Sequence, residues 1–197
     1  LLGVAVAGIG LITGRAHRWF AALLVVTFGW IEAIDATTYL NHYWFVTLMA
    51  ALAVVSPMDG RPRVAAGWVW LIRFQVGVVY VFAGLAKAKT DWLGYGQPLN
   101  LWLGARTETP IIGPIFDEPQ VAMLMSWAGF LFDTTIVVWL SWRRTRVVAY
   151  AALIVFHGLT GYLFNIGMFP LIMTSCALIF FAPSWPRRFV RAKHAVI

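Results

Sequence analysis

Seven apolar stretches follow one another along the chain and are separated by shorter polar connections. Most of them are long enough to cross about 30 Å of hydrocarbon as helices that rise about 1.5 Å per residue. The pattern predicts an all-α fold, a polytopic bundle of about seven transmembrane helices that forms a single domain over residues 1–197. The predicted spans cover residues 1–13, 19–37, 39–56, 68–88, 121–142, 147–164 and 168–182.

The composition supports a membrane protein and argues against soluble classes. Hydrophobic residues make up 61% of the chain, the mean hydropathy is +0.78, and charged residues make up only 12%, against about 25% in a soluble domain. The chain begins inside an apolar stretch, without methionine or the charged region of a signal peptide, so we expect part of the first span to precede residue 1. The single cysteine, Cys176, excludes an intrachain disulfide and a thiolate metal cluster.

Positive charge alternates between the connections, and this predicts the orientation in the membrane. The connections at residues 14–18, 57–67 and 143–146, together with the tail at 185–197, hold eleven of the fifteen Lys and Arg residues. The connection at 89–120 holds two basic and four acidic residues. Because basic connections mark the cytoplasmic side, we predict a cytoplasmic tail and an extracytoplasmic loop at 89–120. Charge spread in this way argues against a nucleic-acid partner, despite the net charge of +7.

Lys87 is the most unusual residue of this pattern, because it lies near the end of an apolar run. A lysine at the centre of a membrane helix costs roughly 2.5–3.5 kcal/mol on insertion scales. On the fourth predicted helix, Arg73, Tyr80 and Lys87 are spaced by seven and therefore share one face. Gly77 and Gly84 lie between them on that face, where glycine lets a neighbouring helix or a flat ligand approach the backbone. The alternative is that Arg73 and Lys87 only extend to opposite membrane interfaces.

Further polar residues lie within the predicted spans or at their ends. Asn41 and His42 begin the third span on the outer side, which is also the predicted side of the lysine. His157 lies in the outer half of the sixth span. Asp133 lies inside the fifth span, and we expect Arg73 to pair with it, because a buried charge is tolerated chiefly when it is paired.

Acid–base chemistry by lysine and histidine is what these residues suggest. Burial disfavours the charged form of a lysine, and a neutral amine accepts a proton. Asn41 and His42, predicted at the depth of Lys87, would hold the oxygen that loses the proton and stabilise its anion. An apolar pocket beside them would suit a flat, lipid-soluble substrate. The sequence contains no HExxH, phosphate-loop or dinucleotide-binding motif, and we expect no bound metal.

Four stretches of the sequence carry a likeness to a known family. They are LNHY at 40–43, RFQ through YVFAGLAK to DW at 73–92, FLFD to RRTR at 130–146, and FH to LFNIGMFP at 156–170. In this order they resemble the membrane domain of the vitamin K-dependent γ-glutamyl carboxylases, the horizontally transferred transmembrane (HTTM) superfamily. The likeness spans most of the chain.

The resemblance implies roles for particular residues. The lysine that deprotonates vitamin K hydroquinone in the family matches Lys87, and the Asn-His pair that helps to bind or activate the quinol matches Asn41 and His42. One departure is Ala86, which stands where the family's animal members have the first lysine of a pair. Further residues are expected to bind the quinol, namely Tyr80, Gly84, His157 and Phe164.

The resemblance also implies a reaction and its participants. In the family, the deprotonated quinol reacts with dioxygen to form a strong base, which removes a glutamate γ-proton. Carbon dioxide then adds to the carbanion, and the quinol becomes an epoxide. We therefore expect reduced vitamin K or menaquinol as cofactor, O2 and CO2 as co-substrates, and the lipid bilayer and a glutamate-containing peptide or protein as partners. The expected location is a bacterial plasma membrane, with the active-site face extracytoplasmic.

Two other functions are compatible with the same residues. The first is a non-catalytic scaffold that binds quinone or lipid, or a subunit that partners another membrane protein, with Lys87 and Arg73 in purely structural roles. The second is a proton-coupled transporter with Asp133 and Arg73 as a relay, although no inverted repeat is evident in the sequence. The large extracytoplasmic β-rich domain with which the animal carboxylase engages its protein substrate does not occur within these 197 residues.

Overall fold

All regular structure in the described part of the chain is helical, in a computed structural model that describes residues 1–34, 41–57, 64–182 and 184–185. These ranges contain no strand, so the predicted all-α fold is confirmed. The helices are α1 (Leu2–Thr13), α2 (His17–Ile34), α3 (Asn41–Val55), α4 (Ala66–Lys87), α5 (Thr90–Tyr95), α6 (Leu99–Gly104), α7 (Pro119–Ser141), α8 (Arg146–Leu163) and α9 (Phe169–Cys176), with 3₁₀ segments at Gly113–Asp117 and Ala177–Phe180.

Each predicted span corresponds to one of these helices, with ends that differ by a few residues. Four helices (α2, α4, α7 and α8) are long and apolar enough to cross a membrane. Three shorter apolar helical segments correspond to the other predicted spans: α1, α3, and α9 with its 3₁₀ extension. These helices are those of a membrane protein, whereas the count of seven spans stays a prediction. Residues 35–40, where the second and third predicted spans adjoin, and the tail beyond residue 185 lie outside the described residues.

The connection at 89–120 contains α5, α6 and the first 3₁₀ segment. Two tryptophans fasten α5 to α7. The indole of Trp92 donates to the carbonyl oxygen of Ser126 at 2.9 Å, and the indole of Trp127 donates to that of Leu93 at 3.1 Å. Buried apolar residues pack the rest of the connection against α7 and the end of α8, namely Leu99, Leu103, Phe116, Ala122 and Leu163.

The chain divides into two compact units, Leu1–Gln75 and Val76–Ile197. In the first unit, α1 packs along α2 and α2 packs along α3. A buried acid lies between the latter two helices, where Glu32 accepts a hydrogen bond of 2.6 Å from the hydroxyl of Thr47.

In the second unit, glycines bring α4 and α7 close together. A Cβ at Gly84 would lie 2.5 Å from Cγ2 of Thr134, and one at Gly77 would lie 3.4 Å from Val137. Residues later on α4 meet residues earlier on α7, so the two helices run antiparallel. The sequence left open whether a neighbouring helix or a flat ligand approaches these glycines. At both positions the structure has the neighbouring helix α7.

Candidate functional site

A cavity of about 300 Å³ lies in the second unit, at the lower end of the range of small-molecule sites. Helices α4, α7 and α8 form most of its wall, and the connection at 89–120 and the start of α9 complete it. The wall is almost entirely apolar and rich in aromatic rings, among them Trp92, Trp102, Phe156, Phe164 and Phe169. Few polar side chains reach it, namely Tyr80, Lys87, Asp133, His157 and Thr160.

An ion pair between α4 and α7 forms part of the cavity wall. Nζ of Lys87 donates to Oδ2 of Asp133 at 2.6 Å and to the carbonyl oxygen of Ala83 at 3.3 Å. It also lies 5.3 Å from the ring centroid of Trp92, a cation–π contact. The carboxylate side chain is 6% exposed and the lysine side chain is 21% exposed. Gly129 lies beside Cε of the lysine and leaves room for the side chain to turn toward α7.

Asp133 has Lys87 as its partner, which corrects the expected pairing with Arg73. Gly84 lies against Thr134, and Arg73 precedes Gly84 by eleven residues on α4, about 16 Å along the helix axis. The guanidinium of Arg73 lies 5.3 Å from the ring centroid of Trp70. The prediction failed because seven-residue spacing shows only that Arg73 and Lys87 lie on the same face of α4. It does not show which of the two lies beside Asp133 along the axis of α7.

A second polar pair lies in the same cavity wall. The hydroxyl of Tyr80 and Nε2 of His157 are 2.8 Å apart, within hydrogen-bond distance, and each residue is 2% exposed. Three phenylalanine rings surround the imidazole edge-on, those of Phe132, Phe156 and Phe169. Nδ1 of His157 is buried and has no hydrogen-bond partner among the described residues. A buried donor or acceptor left without a partner is costly, so Nδ1 is an unsatisfied polar atom in a residue that lines the cavity.

The structure brings most of the predicted site residues to this one cavity, namely Tyr80, Lys87, Asp133, His157 and Phe164. Gly84 is different, because its open side is filled by Thr134 of α7. The structure gives Gly84 a role in helix packing, and its predicted role in binding the cofactor stays a prediction. Asn41 and His42 begin α3 in the first unit, whereas Lys87 belongs to the second. Their predicted proximity to Lys87 therefore stays a prediction.

Sequence reasoning missed Trp92 and Trp102 as site residues. Trp92 had a usable signal, since it follows Lys87 by five residues within the stretch that resembles the family pattern. Trp102 had none, because its place depends on how α6 folds back over the end of α8. Its ring lies 5.8 Å from that of Phe164, and both line the cavity.

The arrangement suits proton transfer beside an apolar ligand. A lysine and a carboxylate at 2.6 Å form a short charge-assisted hydrogen bond. Apolar surroundings disfavour charged forms, so transfer of a proton from the ammonium to the carboxylate leaves two neutral groups that such surroundings tolerate. The resulting amine is then able to accept a proton from a ligand hydroxyl. No cluster of three metal-binding side chains occurs in the ranges that the structure describes.

Comparison with known families adds one assignment. The family model of the HTTM domain matches residues 1–185, which is nearly the whole chain. No solved structure matches the chain.

Proposed function

Because the chain belongs to the HTTM domain family, we propose that it is a membrane enzyme of the vitamin K-dependent carboxylase type. Its cavity would bind reduced vitamin K or menaquinol, with Lys87 as the base that takes a proton from the quinol hydroxyl. One observation carries this proposal: Lys87 and Asp133 form an ion pair at the wall of a cavity that is otherwise almost entirely apolar. Polar groups of this kind in an apolar pocket are typical of catalytic sites.

The cavity walls fit the ring system of such a quinol. Aromatic side chains on several sides offer flat apolar surfaces, and a volume of about 300 Å³ suits a small ring system better than a long isoprenoid tail. We therefore assign the ring system to the cavity and the tail to the bilayer. When bound, the quinol supplies the reducing chemistry with O2, and the protein supplies position and proton transfer.

We assign two polar groups of the cavity wall to the two ring oxygens of a hydroquinone. Tyr80 and Lys87 are seven residues apart on α4, and the lysine side chain folds back to bond Ala83, one turn earlier. Both side chains line the same cavity, so a single aromatic ring bound there would have one polar group for each of its two oxygens. We assign the ring oxygen at the tyrosine end to the pair of Tyr80 and His157, which are hydrogen-bonded to each other.

Proton transfer at the other end involves Lys87 and Asp133. One N–H bond of the ammonium breaks as an O–H bond forms at Oδ2 of Asp133. The amine then takes the hydroxyl proton, and the electron pair of the broken O–H bond stays on the ligand oxygen. The lysine is again an ammonium and lies beside the new negative charge, which it stabilises in water-poor surroundings.

The test is quinol epoxidation by the purified full-length protein in bilayer nanodiscs. Reduced vitamin K or menaquinol, O2, labelled bicarbonate and a glutamate peptide are supplied, and both epoxide and fixed label are measured. We expect Lys87→Ala to lower epoxide formation by about 10²-fold or more, the usual contribution of a positioned base. The matched control is Lys89→Ala, because Lys89 is exposed and does not line the cavity. Epoxide formed at the unmodified rate by a folded Lys87→Ala protein would refute the proposal.

A non-catalytic quinone-binding scaffold is the second candidate. It is favoured by the ion pair itself, since a lysine already neutralised by Asp133 satisfies a structural role without turnover. The same assay separates the two functions. Quinone binding by the unmodified protein, with no epoxide under any condition that supports binding, identifies the scaffold.

A further inference from the structure

A second pocket, of about 400 Å³, opens between α7 and α8. One wall is a single face of α7, formed by Phe132, Thr135, Ile136 and Trp139 at helical spacing. The other wall is formed by α8 residues that include Ala152. From Trp139 to Phe132 the α7 wall extends about 10 Å along the helix. We call this pocket the α7–α8 groove.

The turn between the two helices closes one end of the groove with positive charge. Arg144 and Thr145 both line the groove at this turn. The Thr145 hydroxyl is already committed, because it donates to the carbonyl oxygen of Trp139 at 2.7 Å. Arg144 is exposed, so its guanidinium is the group that presents hydrogen-bond donors to an occupant.

The other arginines of the turn have different positions. Arg146 caps the end of α7, because it donates from Nε to the carbonyl oxygen of Leu140 at 2.8 Å and from Nη2 to that of Ser141 at 3.0 Å. Arg143 is exposed and is not among the groove residues. Arg144 therefore combines positive charge with direct access to the groove.

The charge distribution of the chain indicates which class of molecule fits the α7–α8 groove. The connections that the charge pattern assigns to the cytoplasmic side include this turn. Together they hold eleven of the fifteen basic residues and a single acid, Asp59. Trp139 and Trp142 lie beside the turn and are 47% and 55% exposed, as is typical of tryptophans at a membrane interface. An apolar groove of this kind that ends in positive charge at the interface is complementary to a molecule with an anionic head and an apolar chain.

We propose that the α7–α8 groove binds one anionic phospholipid. The lipid phosphate lies on the guanidinium of Arg144, and an acyl chain follows α7 as far as Phe132. Basic pockets between transmembrane helices are known to hold anionic headgroups. Phe132 also packs edge-on against the rings of Tyr80 and His157, which line the proposed quinol cavity. The end of the acyl chain would therefore lie on the opposite side of Phe132 from that cavity.

The test is lipid binding by native mass spectrometry of the full-length protein released from nanodiscs. The discs contain equal amounts of phosphatidylglycerol and phosphatidylcholine, which share acyl chains and differ in headgroup charge. We expect one phosphatidylglycerol to remain bound in preference to phosphatidylcholine. Arg144→Gln should lower that preference about fivefold, the effect of removing one basic residue near the headgroups. The matched control Arg143→Gln, one position away and outside the groove, should lower it clearly less, because Arg143 makes no contact with the groove.

A second variant tests the apolar part of the site. Ala152 is exposed and lines the groove, so Ala152→Trp fills the groove without placing bulk in the core. We expect it to remove the retained lipid at an unchanged midpoint of thermal unfolding. Equal losses from Arg143→Gln and Arg144→Gln, equal retention of both lipids, or lipid retention by Ala152→Trp would each overturn the proposal. A dimer that Ala152→Trp converts to a monomer would also overturn it, since the occupant would then be a second copy of the chain. These measurements need no quinol, so they stand apart from the proposed enzymatic activity.

Discussion

Replacing Gly84 with alanine tests how closely α4 and α7 must approach to form the ion pair. The added Cβ would lie 2.5 Å from Cγ2 of Thr134 and 3.2 Å from its backbone nitrogen. An ordinary contact begins at 3.4 Å, so the helices must separate by roughly 1 Å or the threonine must rotate. Overpacking of this size costs about 1–3 kcal/mol. Because Asp133 is adjacent to Thr134, we also expect turnover in the proposed quinol reaction to fall together with stability.

A double-mutant cycle isolates the clash. Thr134→Ser removes Cγ2 but keeps the hydroxyl that donates to the carbonyl oxygen of Phe130 at 2.8 Å. The serine variant alone should cost less than about 1 kcal/mol, the transfer value of one methyl group. In the Gly84→Ala background the same change should restore stability, with a coupling energy of about 1 kcal/mol or more. The single half-buried thiol, Cys176, reports unfolding through its reaction with a thiol-specific dye.

The matched control is Gly158→Ala on α8, where an added Cβ meets no atom within 4 Å. There the exchange should be neutral or stabilise the helix by up to about 1 kcal/mol, because alanine is the better helix former. Two results would contradict the packing argument. One is a Gly84→Ala variant as stable as Gly158→Ala, and the other is additivity of Gly84→Ala and Thr134→Ser.

Two further predictions concern the neighbours of the cavity lysine. Asp133→Asn leaves the ammonium of Lys87 without its counter-charge, so we expect a loss of about 3–5 kcal/mol in the free energy of unfolding. Chemical denaturation measures this loss, and the control Asp117→Asn, at an exposed residue, should show no comparable one. Equal losses in the two variants would contradict the ion-pair argument. Trp92→Phe removes an indole donor that holds α5 to α7 and should cost about 1 kcal/mol. Hydrogen exchange should then speed up in α5 more than it does for Trp127→Phe, whose side chain is more solvent-accessible.

Much of the fold follows from the sequence because the bilayer imposes a simple length requirement on apolar runs. Every predicted span corresponds to a helix. The cost of burying a charge also indicates Lys87 and Asp133 as unusual residues from the sequence alone, and the structure pairs them. The sequence also predicted Tyr80, His157 and Phe164 for one site, and the structure brings them to one cavity. The spans and the buried charges follow from local rules, whereas the grouping of Tyr80, His157 and Phe164 at one site came with the family resemblance.

The errors arise from tertiary packing, which sets the level at which neighbouring helices meet and the way the connection folds. Helical spacing places Arg73 and Lys87 on the same face of α4, yet only the close approach at Gly84 determines which charge reaches Asp133. The role of Trp102 depends on the fold of the connection at 89–120, which contains several prolines and glycines and has no long period. Axial register and loop folding are set by tertiary packing, and no single helix encodes them.

Tyr80 and Lys87 are carried by the same helix, two turns apart, and each bonds to a different neighbour. The tyrosine bonds to α8 through His157, and the lysine bonds to α7 through Asp133. Any rotation or sliding of α4 must therefore displace both contacts together, since a helix moves as a stiff rod over this length. Motion of α4 that opened the cavity would therefore loosen its contacts with α7 and α8 together.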